Sequence, residues 1–188
     1  MLRHIGIKAK ITSKVKDILN ADKLILSGVG AYDSAIERIH SMDLLPVMNE
    51  RIINEKIPLL GICLGMQLLT NRSEEGRRKG FGWISGDVVK FDFVNKKEKF
   101  KIPHMGWNQV NIKKETILFR NIVEEPRFYF VHSYHVMPNN KENILCTTNY
   151  GYDFVSALEK ENLYGVQFHP EKSHKFGMQV LKNFVELT

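Results

Sequence analysis

Cysteine is scarce: the 188 residues hold two, Cys63 and Cys146, too few for a disulfide framework and with no metal-ligand spacing around them. No apolar run approaches the roughly 18 residues that a membrane-spanning helix needs. The opening MLRHIGIKAKIT has neither the apolar stretch nor the small-residue cleavage site of a secretory signal. Internal repeats, low-complexity tracts and linkers are missing too, so a single domain, 1–188, is expected. Nor does one sign of charge form a block. The net charge is +6, but the densest patch, Lys96-Lys97-Glu98-Lys99-Phe100-Lys101, carries an acid inside it. It reads as a solvated hairpin tip, and neither nucleic acid nor a membrane is expected as partner. With 43% hydrophobic and 26% charged residues, the chain is an ordinary globular one with material for one sizeable core. A reduced, cytoplasmic protein is the simplest reading.

What is present centres on Ile57 to Leu69, IPLLGICLGMQLL. The run Ile57-Pro58-Leu59-Leu60 suits a strand buried on both faces, and Met66-Gln67-Leu68-Leu69 reads as the first turns of a helix. Between them, Gly61-Ile62-Cys63-Leu64-Gly65 places a nucleophile between glycines two residues away on each side. This is the elbow pattern G-x-S-x-G with sulfur in place of oxygen. The sharp turn predicts a strained backbone at the nucleophile, glycines let neighbouring elements approach closely, and the helix N-terminus favours the thiolate. An inert, buried cysteine at a strand end is the plainer alternative, which the paired glycines disfavour.

Around this stretch the first third alternates strand and helix. Ile5–Ile11 alternates apolar and polar residues as a half-buried strand does, and Lys23–Leu26 is a second short strand. Apolar residues between Asp33 and Glu55 fall at helical spacing, with Asp43 as a cap and Pro46 near the start of a second helix. After Gly80 the texture turns to short β runs: Asp87–Phe93, Met105–Ile112, Arg127–Val136, Ile144–Thr148, Phe154–Leu158 and Tyr164–Phe168. A helix from about Lys175 to Leu187 closes the chain. An α/β fold is predicted, a mixed, largely parallel sheet flanked by helices with an antiparallel β extension.

A cysteine nucleophile needs a base and a group to orient that base. Tyr164-Gly165-Val166-Gln167-Phe168-His169-Pro170-Glu171 offers both, since residues i and i+2 of an extended chain project from one face. His169 is then the base and Glu171 the residue that holds its tautomer. Backbone N–H groups of Leu64 or Gly65 are placed for a developing oxyanion. The turn Gly28-Val29-Gly30 offers another donor, although a glycine-ended strand is usually only a turn.

GICLGMQ followed by VQFHPE resembles the class-I (triad) glutamine amidotransferases, whose triad then falls on Cys63, His169 and Glu171. Within that family SGVGAYDSAI, NRSEEG, PHMGWNQV, FYFVHSYHV and HPEKS are similar to the glutaminase subunit of imidazole glycerol phosphate synthase, and they span most of the chain. The resemblance implies a flavodoxin-like fold and hydrolysis of L-glutamine to glutamate and ammonia. It implies a (β/α)₈-barrel cyclase partner in a heterodimer that takes the ammonia, and no cofactor or metal. It also implies an oxyanion role for Val29, Gly30 and Leu64, and glutamine binding by Gln67, Glu75, Ser133 and Tyr134.

Plainer readings stand beside these. Gln67 is also readable as a solvated residue, Glu75 as part of a surface charge cluster, and Met105 and Trp107 as core. His132 and His135 are expected on opposite strand faces with structural roles, and Cys146 as a packed core thiol. Alternative functions are ammonia supply to a synthase that aminates a cell-surface sugar, or an inactive scaffold on a barrel. Two departures from the family pattern matter. Ser27 replaces the usual proline before Gly-Val-Gly, and the family's first strand has no counterpart. In flavodoxin order that strand lies between the next two. The sequence therefore predicts an N-terminally shortened chain, with 5–11 and 23–26 standing about two strand spacings apart across a groove.

Overall fold

Residues 1–94, 96, 99–122 and 125–188 are described in the computed structural model. The chain opens with a 3-10 turn, Leu2–Ile5, ended by Gly6 in the left-handed region (φ 78°). Leu2 and Ile5 lean on the core beside the last helix. The expected strand at 5–11 is not formed, and with it goes the predicted groove between two strands. Residues 7–14 carry no regular structure, and Ile11 is fully exposed. The reason is physical: alternation alone does not make a strand when no neighbouring edge satisfies its backbone groups.

From there the elements alternate. They run α1 (Val15–Leu19), β1 (Leu24–Gly28), α2 (Tyr32–Ser41), α3 (Leu44–Met48), β2 (Leu59–Cys63) and α4 (Leu64–Leu68). Asp43 does precede α3, but in the left-handed conformation and without a capping side-chain bond. A π-helical turn, Asn49–Asn54, prolongs α3. The β-rich part follows as β3 (Arg72–Ser73), β4 (Gly86–Lys90), β5 (His104–Gln109), β6 (Asn111–Ile112), β7 (Arg127–His132) and β8 (Tyr134–Pro138). It ends with β9 (Ile144–Asn149), β10 (Asp153–Lys160), β11 (Leu163–Val166) and α5 (His174–Leu187). The supposed hairpin tip at 96–101 lies partly outside the described residues.

Among the described residues, nine strands form one mixed sheet in the order β1-β2-β11-β10-β8-β4-β3, with β9 on β10 and β6 on β9. β2 lies between β1 and β11, parallel to both. Both its faces are buried. Leu59 belongs to the core under α2, α3 and α4, and Leu60 and Ile62 belong to the core under α5. β5 and β7 form a separate antiparallel pair. The chain leaves that pair at Ser133 and enters the main sheet as β8, so one short segment joins two layers.

The helix that leaves β2 crosses β1 at contact distance. A Cβ on Gly65 would sit 1.8 Å from the Leu26 carbonyl oxygen, and one on Gly61 would sit 2.8 Å from the backbone of Gly65. Rigid backbone cannot yield as a side chain would. Gly65→Ala is therefore expected to destabilise the protein by about 3 kcal/mol or to abolish soluble expression. Chemical denaturation checks this, and unchanged stability would show that α4 has room to move.

Candidate active site

Cys63 closes β2 with φ 53° and ψ −109°, an unfavourable conformation for a residue with a side chain and the strained turn expected of an elbow. The following residues coil at once into α4, so the N–H groups of Leu64 and Gly65 lie in a first turn, where intrahelical partners are lacking. The sulfur is nearly buried. It lies 4.0 Å from the Val131 carbonyl oxygen and 3.6 Å from the amide nitrogen of Gln167, which donates to it.

His169 follows β11. The run beyond that strand is not extended as far as Glu171: Pro170–Lys172 forms a 3-10 turn, and this turn brings the carboxylate back to the ring. Nδ1 of His169 lies 2.7 Å from Oε1 of Glu171. The ring's other nitrogen is buried without a hydrogen-bond partner of its own, while the Cys63 sulfur lies close enough to bias the ring electrostatically. Burial opposes charge on His169, but Cys63 and Glu171 outweigh it and lift the pKa to about 9. Burial pushes the Glu171 pKa up, but the His169 bond, its own backbone N–H and the positive charge of His169 and Lys172 together outweigh this and leave it lowered. The backbone is fixed as well. The Ser173 hydroxyl donates to the His169 carbonyl oxygen (2.6 Å) and accepts from Tyr129 N–H (3.0 Å), and His169 N–H donates to the Tyr129 carbonyl (2.9 Å).

Gln67 is buried rather than solvated. Its amide nitrogen donates to the Tyr134 carbonyl oxygen (3.0 Å) and to Oε1 of Gln167 (3.1 Å). Ser133 and Tyr134, both half-buried, occupy the crossing between the two sheets, so they join Cys63, Gln67 and His169 around one spot. Glu75 sits apart on the loop 71–79. Asp33 pins that loop to the start of α2 by accepting the N–H groups of Arg77 and Arg78. Glu75 is exposed, but partial burial of its carboxylate raises its pKa, and it accepts Tyr32 N–H just beyond the Gly28–Gly30 turn. Val29 is exposed at that turn and Gly30 has φ 106°.

Two expectations change. His132 and His135 do not diverge: both rings pack on Phe91, at centroid distances of 5.2 and 4.8 Å, because the switch of sheets at Ser133 breaks the strand alternation. Met105 and Trp107 are exposed on β5, not core. Cys146 is fully buried, and burial pushes its thiol pKa up. Gln167 and Ser173 were missed by sequence reasoning. Their only signal was adjacency to the His-Pro-Glu run.

A model of the family described as glutamine amidotransferase class-I matches residues 1–187. The chain belongs to this family. The amidotransferase is 53% identical to imidazole glycerol phosphate synthase subunit HisH 2 of Methanococcus maripaludis, over 99% of this chain and 91% of the relative. It is 48% identical to the Pseudomonas aeruginosa protein of the same description, over 100% of this chain and 91% of that one. Among solved structures, a glutamine amidotransferase matches with a TM-score of 0.73 at 15% identity, over 98% of this chain and 90% of that chain. The glutaminase domain of a Trypanosoma brucei CTPS matches with 0.63 at 18%, over 98% and 84%. These two likenesses carry the fold.

Two measurements follow from the site. A thiol probe on the folded amidotransferase should label Cys63 and spare Cys146; labelling of both would mean that Cys146 is not sealed. NMR titration should place the His169 midpoint near 9. Because this value lies above the usual 6.5, the stabilisation it carries is complete below about pH 6.5 and lost as pH rises through about 9. Glu171→Gln removes one of the two raising groups, so the midpoint should fall; an unmoved midpoint would leave Glu171 without influence on the ring.

Proposed function

We propose that this amidotransferase is the glutaminase subunit of an imidazole glycerol phosphate synthase, hydrolysing glutamine to glutamate and ammonia. The ammonia passes to a cyclase subunit of (β/α)₈ type, and the pair carries out the lyase step of histidine biosynthesis in the cytoplasm. The carrying observation is the pairing of Cys63, on a strained strand-to-helix turn, with a charged-form-favoured His169 held by Glu171 at 2.7 Å. The 53% identity to a relative of that description supports the choice of synthase. Among the described residues, no helix is long and apolar enough to cross a membrane.

In this reading the Cys63 sulfur attacks the side-chain carboxamide carbon of glutamine. The carbonyl oxygen becomes an oxyanion facing the N–H of Leu64 and the turn at Val29 and Gly30. The His169 imidazolium gives its proton to the leaving nitrogen, ammonia departs, and a thioester remains. The neutral ring then takes a proton from water, which attacks the thioester and releases glutamate and the sulfur. Glu171 keeps Nδ1 protonated, so Nε2 is the nitrogen that exchanges the proton. Gln67, Ser133, Tyr134 and Glu75 hold the amino-acid end of the substrate. Met105 and Trp107, exposed on β5, suit an apolar contact with the cyclase.

Cys63→Ala should lose glutamine-dependent synthesis by at least about 10³-fold with the cyclase present, yet keep synthesis from added ammonium salt. Coupled assays with both nitrogen sources test it. Glutamine-dependent turnover in the variant would remove Cys63 from the nucleophile role.

A further inference from the structure

His104 on β5 and His132 on β7 are register partners of the small sheet, and both are buried. Nδ1 of His104 lies 3.1 Å from Nε2 of His132, and Nδ1 of His132 lies 2.8 Å from the Tyr134 carbonyl oxygen. The proton positions follow by elimination. Asn108 accepts the Gln109 N–H at Oδ1 (2.8 Å), so its amide nitrogen is the donor end. That nitrogen donates to the Asn149 carbonyl (2.9 Å) and faces Nε2 of His104 (3.2 Å). His104 Nε2 therefore accepts, and Nδ1–H donates to His132 Nε2. His132 in turn donates Nδ1–H to the Tyr134 carbonyl.

The Tyr134 carbonyl also receives the Gln67 amide. The second hydrogen of that amide goes to Gln167 Oε1, and this orients the Gln167 amide nitrogen toward Cys63. The chain thus runs from half-buried Asn108 at one end, through the two buried rings and Gln67, to the sulfur at the other. Burial lowers the pKa of His104 to about 4 and of His132 to about 3, so both rings are neutral across the working range and the direction is kept. His135 stands outside the chain, bonded through Nε2 to the Tyr152 hydroxyl (2.8 Å).

We propose that His104 and His132 are positioning residues: as two Nδ1–H imidazoles in series, they fix the Ser133–Tyr134 crossing and, through Gln67 and Gln167, the donor presented to Cys63. The inference rests on the glutaminase reading above, because Ser133 and Tyr134 are taken there to hold glutamine. A merely structural pair would care about volume and not about which nitrogen donates.

The test compares amide variants of His132 in the complex with the cyclase. Asparagine sets its amide nitrogen near the place of Nδ1 and retains the bond to Tyr134; glutamine sets its own near Nε2 and loses it. His132→Gln should raise KM for glutamine about tenfold with kcat changed less than about threefold, while His132→Asn stays within about twofold of the parent. His104→Leu should shift KM in the same direction as His132→Gln. Equal KM values for the two His132 variants would overturn the proposal. Nitrogen NMR of the unaltered chain supplies the second readout, independent of turnover and of variant folding. Both rings must report the Nδ1–H tautomer, and an Nε2–H tautomer in either overturns the relay. Absence of glutamine hydrolysis in the parent complex would instead defeat the functional reading, with the tautomer result still deciding the relay.

Discussion

Everything in this molecule depends on how closely α4 crosses β1. Cys63 stands on a backbone turn that two glycines allow, and Gly65 sits where no side-chain carbon fits against Leu26. That contact sets the direction in which Cys63 leaves β2, the place of the Leu64 N–H and the distance from the sulfur to β11. Because β2 is flanked by β1 and β11 and buried on both faces, the turn has no freedom to relax. The strain at Cys63 is held by packing on every side, which is the condition under which strained residues persist at functional sites.

The second dependency is electrostatic. His169 is buried, and burial alone would discharge it; the sulfur and Glu171 reverse that result. Ser173 fixes the backbone of His169, and Gln167 supplies a donor to the sulfur. The site is therefore an arrangement of few charges in a poorly solvated place, where each interaction counts for more than it would at the surface.

Much of this was legible in the sequence. The apolar run with its G-x-C-x-G turn announced β2, α4 and the strained turn at Cys63, because periodicity and glycine placement are local signals. The His-Pro-Glu run announced the pairing of His169 with Glu171, although the carboxylate arrives by a 3-10 turn rather than along a strand. The segment at 5–11 misled, since alternation reports a preference and not a partner. The histidines around Ser133 misled for a related reason: nothing local tells that the chain changes sheets there. Gln167 looked like an ordinary polar residue, and its bond to Gln67 spans a hundred positions, so only the fold brings it into view.

The order of the sheet carries a consequence for how the chain is made. β2 finds one neighbour in β1, close by in sequence, but the other is β11, with Leu59 opposite Leu163. Pairing across so long an intervening loop is slow, because closure entropy is spent before the contact is gained. During synthesis the apolar Leu59-Leu60-Gly61-Ile62 edge is thus complete long before its second partner leaves the ribosome. Cys63 is made early, and His169 comes more than a hundred residues later. The meeting of Cys63 with His169 and the burial of the stickiest strand arrive in a single late event, so a nascent chain is at its most aggregation-prone just before β11 docks.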